Sequence, residues 1–202
     1  MIRAIIFDAG GVLFNSEQSL FKSPCEYISQ ITGESFDKVY TAYRQAIVIC
    51  ESKSVSKEEL WNTIMEKLDR SIPFSGQDPI AQGFKEFQPD QEVVDHIRNL
   101  RPKYKTALVS NANAVEFSTP QAQALYKSFD VVVLSYQVGV RKPHEKIYDV
   151  AFEKLSVEPK EAVFVDNEAD NVEEATKLGM VGILFKDAKQ LEKDLENVGV
   201  TI

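Results

Sequence analysis

Four short polar segments of this 202-residue sequence carry side chains that could act together. They are Asp8-Ala9-Gly10-Gly11, Ser110-Asn111-Ala112-Asn113, Arg141-Lys142-Pro143 and Asp166-Asn167-Glu168-Ala169-Asp170-Asn171. Between them they offer a nucleophilic carboxylate, a hydroxyl, a cation and an acidic cluster, a set that suits phosphoryl transfer. An aspartate can attack phosphorus and divide a hard displacement into two steps through an aspartyl phosphate. Two anions approach each other only when charge is neutralised. Mg²⁺ does this while held by a few carboxylates and backbone oxygens. Asp8 and Asp166 are the expected metal ligands, and Lys142, a compact point charge, and Ser110, a small hydrogen bonder, are expected to hold the phosphoryl oxygens.

For these segments to meet, strands must deliver them to one edge. Ile2–Phe7, Thr106–Val109, Val131–Leu134, Ala162–Val165 and Val181–Phe185 are short, apolar and β-branched, as strands buried on both faces are. Helical stripes lie between most of them: Val93, Val94, Ile97 and Leu100; then Ile147, Val150, Ala151 and Leu155, opened by Pro143; then Val172, Ala175 and Leu178, stopped by Gly179. The alternation predicts a doubly wound α/β fold with a parallel sheet and right-handed crossovers. Ligands of such sheets bind outside the carboxyl ends of the strands. All four polar segments sit beyond those ends.

The stretch from about Asn15 to Phe87 breaks this rhythm, with no convincing strand and at least three helical patterns. Ser56 and Glu59 form a capping box ahead of Leu60, Trp61, Ile64 and Leu68. Val39, Tyr43, Ala46 and Ile47 make an earlier apolar face, and Gly33 ends the helix before it. The predicted division is a core of residues 1–14 and 88–202 with a helical cap, residues 15–87, inserted after the first strand.

The four segments, in this order and spacing, resemble the motifs of the haloacid dehalogenase-like hydrolase superfamily. Phe7-Asp8-Ala9-Gly10-Gly11-Val12-Leu13 is similar to the first motif, Val109-Ser110-Asn111 to the second, Arg141-Lys142-Pro143 to the third and Phe164-Val165-Asp166-Asn167-Glu168-Ala169-Asp170 to the acidic fourth. The resemblance covers the whole core and implies a Rossmann-like sheet, a cap between motifs one and two, and hydrolysis through Asp8. It implies Mg²⁺ held by Asp8, the Gly10 carbonyl and Asp166, with Asp170, and Asn167 or Asn171, orienting the waters of the metal. It also implies that the Gly10-Gly11 turn lets backbone N–H groups approach phosphate.

One departure matters. Phosphatases of the superfamily usually carry a second aspartate two residues after the nucleophile, as general acid and base. Here that position is Gly10. Such help is worth ~10²–10⁴ in rate. Three readings follow: a phosphatase whose leaving group needs little protonation, such as a sugar 1-phosphate; a dehalogenase or phosphonate-cleaving enzyme; or a binding or regulatory protein with little turnover. The dehalogenase reading leaves Asp166 and Asp170 without purpose, and the phosphonatase reading needs a cap lysine, Lys53 or Lys57. The favoured expectation is a Mg²⁺-dependent phosphatase acting on a small phosphorylated metabolite.

Other residues have plainer readings. Asn111 and Asn113 divide evenly between substrate contact and loop bonding. Asp170 could serve the dipole of its helix, but its offset from Asp166 favours the metal. His144 is expected at a helix start, and His96 in solvent. Trp61, Tyr40 and Tyr43 are expected in the cap core, and Arg44 on a solvated helix face, the lesser reading being that it reaches a second anionic group. With 23 basic and 31 acidic residues the chain has a formal charge of −8, which argues against nucleic acid. No apolar stretch approaches the ~20 residues of a membrane span. The short apolar start is no export signal, and Cys25 and Cys50 are expected as buried thiols in the cytoplasm. Oligomeric state is not legible.

Overall fold

Five strands alternate with helices in the computed structural model, which describes residues 1–14, 17–74, 89–118 and 120–202. After β1 (Ala4–Phe7) come α1 (Glu17–Thr32), α2 (Phe36–Cys50), α3 (Lys57–Lys67) and α4 (Gln91–Leu100). β2 (Lys105–Ser110) is followed by α5 (Ala114–Phe117) and α6 (Pro120–Tyr126), then β3 (Val131–Leu134) by α7 (Ser135–Val138) and α8 (Glu145–Leu155). β4 (Ala162–Asp166), α9 (Ala169–Lys177), β5 (Val181–Leu184) and α10 (Ala188–Asn197) complete the chain. The sheet order is β3-β2-β1-β4-β5, with every neighbouring pair parallel. β1 is central, and the order reverses beside it. This is the doubly wound arrangement that the alternation of elements predicts and the Rossmann-like sheet that the resemblance implies.

Alternate residues of each strand bury against opposite layers. Ile5, Phe7, Leu108, Val163 and Val165 meet Val93, Ile97 and Leu100 of α4 and Leu191 and Leu195 of α10. Ala4, Ile6, Ala107, Val109, Val133 and Phe164 meet Ile147, Tyr148, Ala151 and Leu155 of α8 and Ala175 of α9. Both faces are therefore apolar, which is why the strands read as unbroken hydrophobic runs. Burying each Val, Leu or Ile side chain contributes about 1.5–3 kcal/mol, and the strands hold the polar segments firmly at their ends.

In the helical stretch, the stripe Val39, Tyr43, Ala46, Ile47 and Cys50 of α2 is buried, as are Leu60, Trp61 and Ile64 of α3. These residues pack continuously with Phe21, Cys25 and Ile28 of α1 and with the α4 face of the sheet. The Ser56–Glu59 capping box is formed in both directions, at 3.1 and 2.7 Å. Trp61 Nε1 donates to the Ile72 carbonyl (2.8 Å), so that its one polar atom is satisfied. Gly33, with φ +72°, follows α1. Cys25 and Cys50 are buried and not joined as a disulfide. The predicted cap boundaries, at residue 15 and at 87–88, lie outside the described residues.

Two local expectations change. Pro143 does not open α8. It occupies the preceding turn, and His144 is the N-cap, its Nδ1 accepting from Lys146 N at 3.2 Å. His96 is not simply solvated but half-buried, with Nε2 3.3 Å from the Ala188 carbonyl of α10. Among the described residues no helix is long and apolar enough to cross a membrane.

Candidate active site

The register of β1 and β4 pairs Phe7 with Val165, so the chain delivers Asp8 and Asp166 side by side. Asp8 N donates to the Val165 carbonyl (2.9 Å), which extends the ladder to the aspartate itself. Lys142 lies between the two acids, with Nζ 2.5 Å from Asp8 Oδ1 and 2.6 Å from Asp166 Oδ2. It is 2% exposed, a position that lysine occupies only when paired. Asn111, just beyond β2, fixes the lysine backbone. Its Oδ1 accepts from Lys142 N (2.7 Å) and its Nδ2 donates to the Lys142 carbonyl (3.2 Å). The Ser135 hydroxyl, at the start of α7, bonds both the N–H and the carbonyl of Ala112 at 3.0 Å and so ties the β2 and β3 ends together.

These groups border a cavity of about 230 Å³. Of the predicted site residues, Asp8, Gly10, Ser110, Asn111, Lys142 and Asp170 line it. Asp166 does not line it. It is wholly buried, its Oδ1 accepting from Glu168 N (2.8 Å) and its Oδ2 also accepting from Asn171 Nδ2 (3.1 Å). Nor is Asn113 in the lining. Its Oδ1 accepts from Val115 N (3.0 Å) at the start of α5, so it bonds its own loop. Gly11, at φ +79°, abuts the Asn167 side chain so closely that a Cβ there would lie 2.5–2.7 Å from the amide atoms. Asp170 projects from the first turn of α9.

α2 adds two groups to the cavity, one of them, Glu51, missed by the sequence reading. Arg44, expected in solvent, is half-buried and faces the cavity. Glu51, the C-cap of α2, is 6% exposed, lines the cavity, and holds Oε2 2.8 Å from Arg141 Nε. Its signal was its place four residues after Ile47 on the apolar stripe, where a carboxylate is buried only against a cation. Lys53 and Lys57 are exposed and do not line the cavity. A wider hollow beside Asn62, Met65 and Arg70 lies away from all of these groups.

Burial pushes the Asp8 carboxyl up to about 7; Lys142 pulls it down and the charge of Asp166 pushes it further up. Burial works against the Lys142 charge, but Asp8 and Asp166 outweigh it and hold the ammonium above its usual range. The donor set suits a small hard cation. Asp8 and Gly10 line the cavity, Asp166 shares the Lys142 ammonium with Asp8, and the Oδ1 of Asn167, in the same lining, is buried with no hydrogen-bond partner among the described residues. Mg²⁺ is commonly held by one or two carboxylates plus substrate oxygens rather than by a full protein cage. No group of three acidic, histidine or cysteine ligands occurs among the described residues, so the set present is of this sparse kind.

A parallel sheet that reverses order beside its central strand, with paired acids on the two strands at that point, marks a Rossmann-like enzyme core. The model of the haloacid dehalogenase-like hydrolases matches residues 2–179, and the chain belongs to that family. It is 28% identical over 189 residues to the D-ribitol-5-phosphate phosphatase of Bacteroides thetaiotaomicron, covering 89% of each chain. It is 27% identical over 192 residues to a phosphorylated carbohydrates phosphatase of Thermotoga maritima, covering 89% of this chain and 82% of that one. Among solved structures, a family enzyme from Bacteroides thetaiotaomicron in complex with magnesium and inorganic phosphate superposes with a TM-score of 0.69. That match is 22% identical and covers 92% of this chain and 95% of the other.

Proposed function

We propose that this protein is a Mg²⁺-dependent phosphatase that hydrolyses a small phosphate monoester, a sugar or polyol phosphate, through an aspartyl phosphate on Asp8. The observation that carries this reading is the buried Asp8–Lys142–Asp166 cluster opening on a polar cavity. The names of the two phosphatase relatives support the substrate class.

In the proposed reaction an Asp8 carboxylate oxygen bonds to phosphorus while the ester P–O bond breaks and the alcohol leaves. Water then attacks the phosphorus and frees Asp8 and inorganic phosphate. Lys142 neutralises charge beside the nucleophile, and Ser110 donates to a phosphoryl oxygen. Asp8, the Gly10 carbonyl and Asp166 would hold Mg²⁺, with Asp170 orienting its water. The ion, when bound, supplies positive charge between carboxylate and phosphate. The α1–α3 stretch acts as the cap, excluding water and selecting substrate.

Gly10 stands where an acid would sit. It lies outside the left-handed region, and a Cβ there would meet nothing nearer than Asp8 Oδ2 at 4.0 Å. The backbone therefore does not demand glycine. Proton transfer to the leaving oxygen falls to a cavity acid or to water, or the leaving group needs little of it. The buried thiols fit a reducing, cytoplasmic setting.

Phosphate release from a panel of sugar and polyol phosphates, with and without Mg²⁺, tests this. Turnover should require the metal and vanish in Asp8→Asn. Turnover that persists in Asp8→Asn refutes Asp8 as nucleophile. Mg²⁺ binding without turnover on any ester favours a regulatory protein.

A further inference from the structure

Two charges borne by α2 have no part in the chemistry above, yet both face the cavity. Arg44 and Glu51 are seven residues apart and so share one side of the helix. Arg44 is half-buried, with its guanidinium 5.8 Å from the Phe21 ring centroid. Glu51 is buried against Arg141, the residue before Lys142, at 2.8 Å. The helical stretch thus presents an acceptor and a donor to the cavity, and the core adds a second donor.

What these groups can recognise follows from the rest of the wall. Apart from Gly10 and Pro143, every described residue lining the cavity has a hydrogen-bonding side chain, and none is aromatic. A planar ring or an alkyl chain meets a wall that is mostly polar. A second phosphate is disfavoured as well. Glu51 answers the charge of Arg141, and Glu168 and Asp170 add negative charge to the same lining as Arg44. A hydroxyl both donates and accepts, so adjacent hydroxyls match a carboxylate set beside guanidinium groups.

We propose that Glu51 and Arg44 determine specificity by reading neighbouring hydroxyls on the leaving alcohol. The Glu51 carboxylate accepts from them and Arg44 donates to them, while Arg141 is a positioning residue that orients Glu51. This rests on the phosphatase reading and deepens it, because it selects polyhydroxylated esters over alkyl and aryl ones.

The test compares a five-carbon polyol phosphate with pentyl phosphate, which has the same chain length without the hydroxyls, and uses p-nitrophenyl phosphate as a general ester. Glu51→Gln should lower the ratio of kcat/KM for the polyol ester to that for pentyl phosphate by roughly 10- to 100-fold, the loss expected for hydrogen bonds to a charged group. The loss should fall mainly on KM. Arg44→Met should lower the same ratio, and Arg141→Lys should lower it less. An unmoved ratio in Glu51→Gln overturns the proposal. So does an equal fall on both esters, which would make Glu51 a proton donor or a tie between helix and core. If the wild-type protein with Mg²⁺ releases phosphate from none of the three esters, the phosphatase reading itself fails. Release with an unmoved ratio removes only the hydroxyl-reading role.

Discussion

Replacing Lys142 by alanine should be among the most damaging single changes in this protein. The ammonium is the shared partner of two carboxylates, Asp8 at 7% exposure and Asp166 at 0%. At these separations each attraction is roughly 6 kcal/mol at an effective dielectric constant of ~20. Desolvation of the three ions, several kcal/mol each, offsets much of that. What remains decisive is the asymmetry, because removing the cation strands two buried anions beside each other. Breaking such a pair costs ~3–5 kcal/mol, a large share of the ~5–15 kcal/mol that holds a typical domain together. The assay is urea unfolding at pH 8 without divalent cations, comparing midpoints at constant slope. The pH matters because burial and the charge of Asp166 push the Asp8 carboxyl up and the variant loses the lysine that pulls it down, so protonation at lower pH would relieve the strain. Adding Asp8→Asn to Lys142→Ala should recover ~1–3 kcal/mol, since one stranded charge is gone and the two sites are coupled. A Lys142→Ala protein within ~1 kcal/mol of wild type would show that the lysine does not hold the acids together, and the reasoning would fall with it.

The adjacent glycines should respond differently. Gly11→Ala should cost at least ~1–2 kcal/mol because of its φ of +79° and the Asn167 side chain in the way, whereas Gly10→Ala should melt within a few degrees of wild type. Asp130 accepts from Thr106 N at 2.8 Å and Thr106 Oγ1 at 3.2 Å and pairs with Arg101; burial raises its pKa, but these bonds prevail and hold it below the usual carboxylate range. Asp130→Ala should therefore cost ~1–2 kcal/mol at pH 7. A lowered folded pKa gives stability that is present above the unfolded value and lost as pH falls through the folded one, so the gap between wild type and variant in thermal melts should close below about pH 4.

How much of this was legible in the sequence depended on the kind of signal. Strand positions were readable because burial on both faces leaves an unbroken apolar run, and β3 lies where Val131–Leu134 predicts. β1 and β5 proved shorter than their apolar runs, beginning at Ala4 and ending at Leu184. The Ser56–Glu59 box was readable because its partners are three residues apart and need no tertiary context. Arg44 and Glu51 were not, because periodicity shows which side of a helix is apolar but not which polar side chains border a cavity. The paired bonds of Asn111 to Lys142 join residues 31 apart, and nothing local announces them. Gly11 read as a turn residue, yet its lack of a side chain also makes room for Asn167, from the far side of the chain.

The sheet order has a consequence for how the molecule is made. β1 is synthesised first but lies in the middle, and its two neighbours begin at residues 105 and 162. A nascent chain that has emerged only as far as the helices cannot complete the ladder on either side of β1. Asp8 therefore waits for a counterion more than 130 residues downstream and for a neighbouring acid encoded later still. Non-local pairing of this kind delays the rewarding contacts until late in folding. Ribosomal stalling or premature termination before residue 142 yields a polypeptide that carries Asp8 but neither the Lys142 ammonium nor the Asp166 carboxylate that surround it in the finished fold.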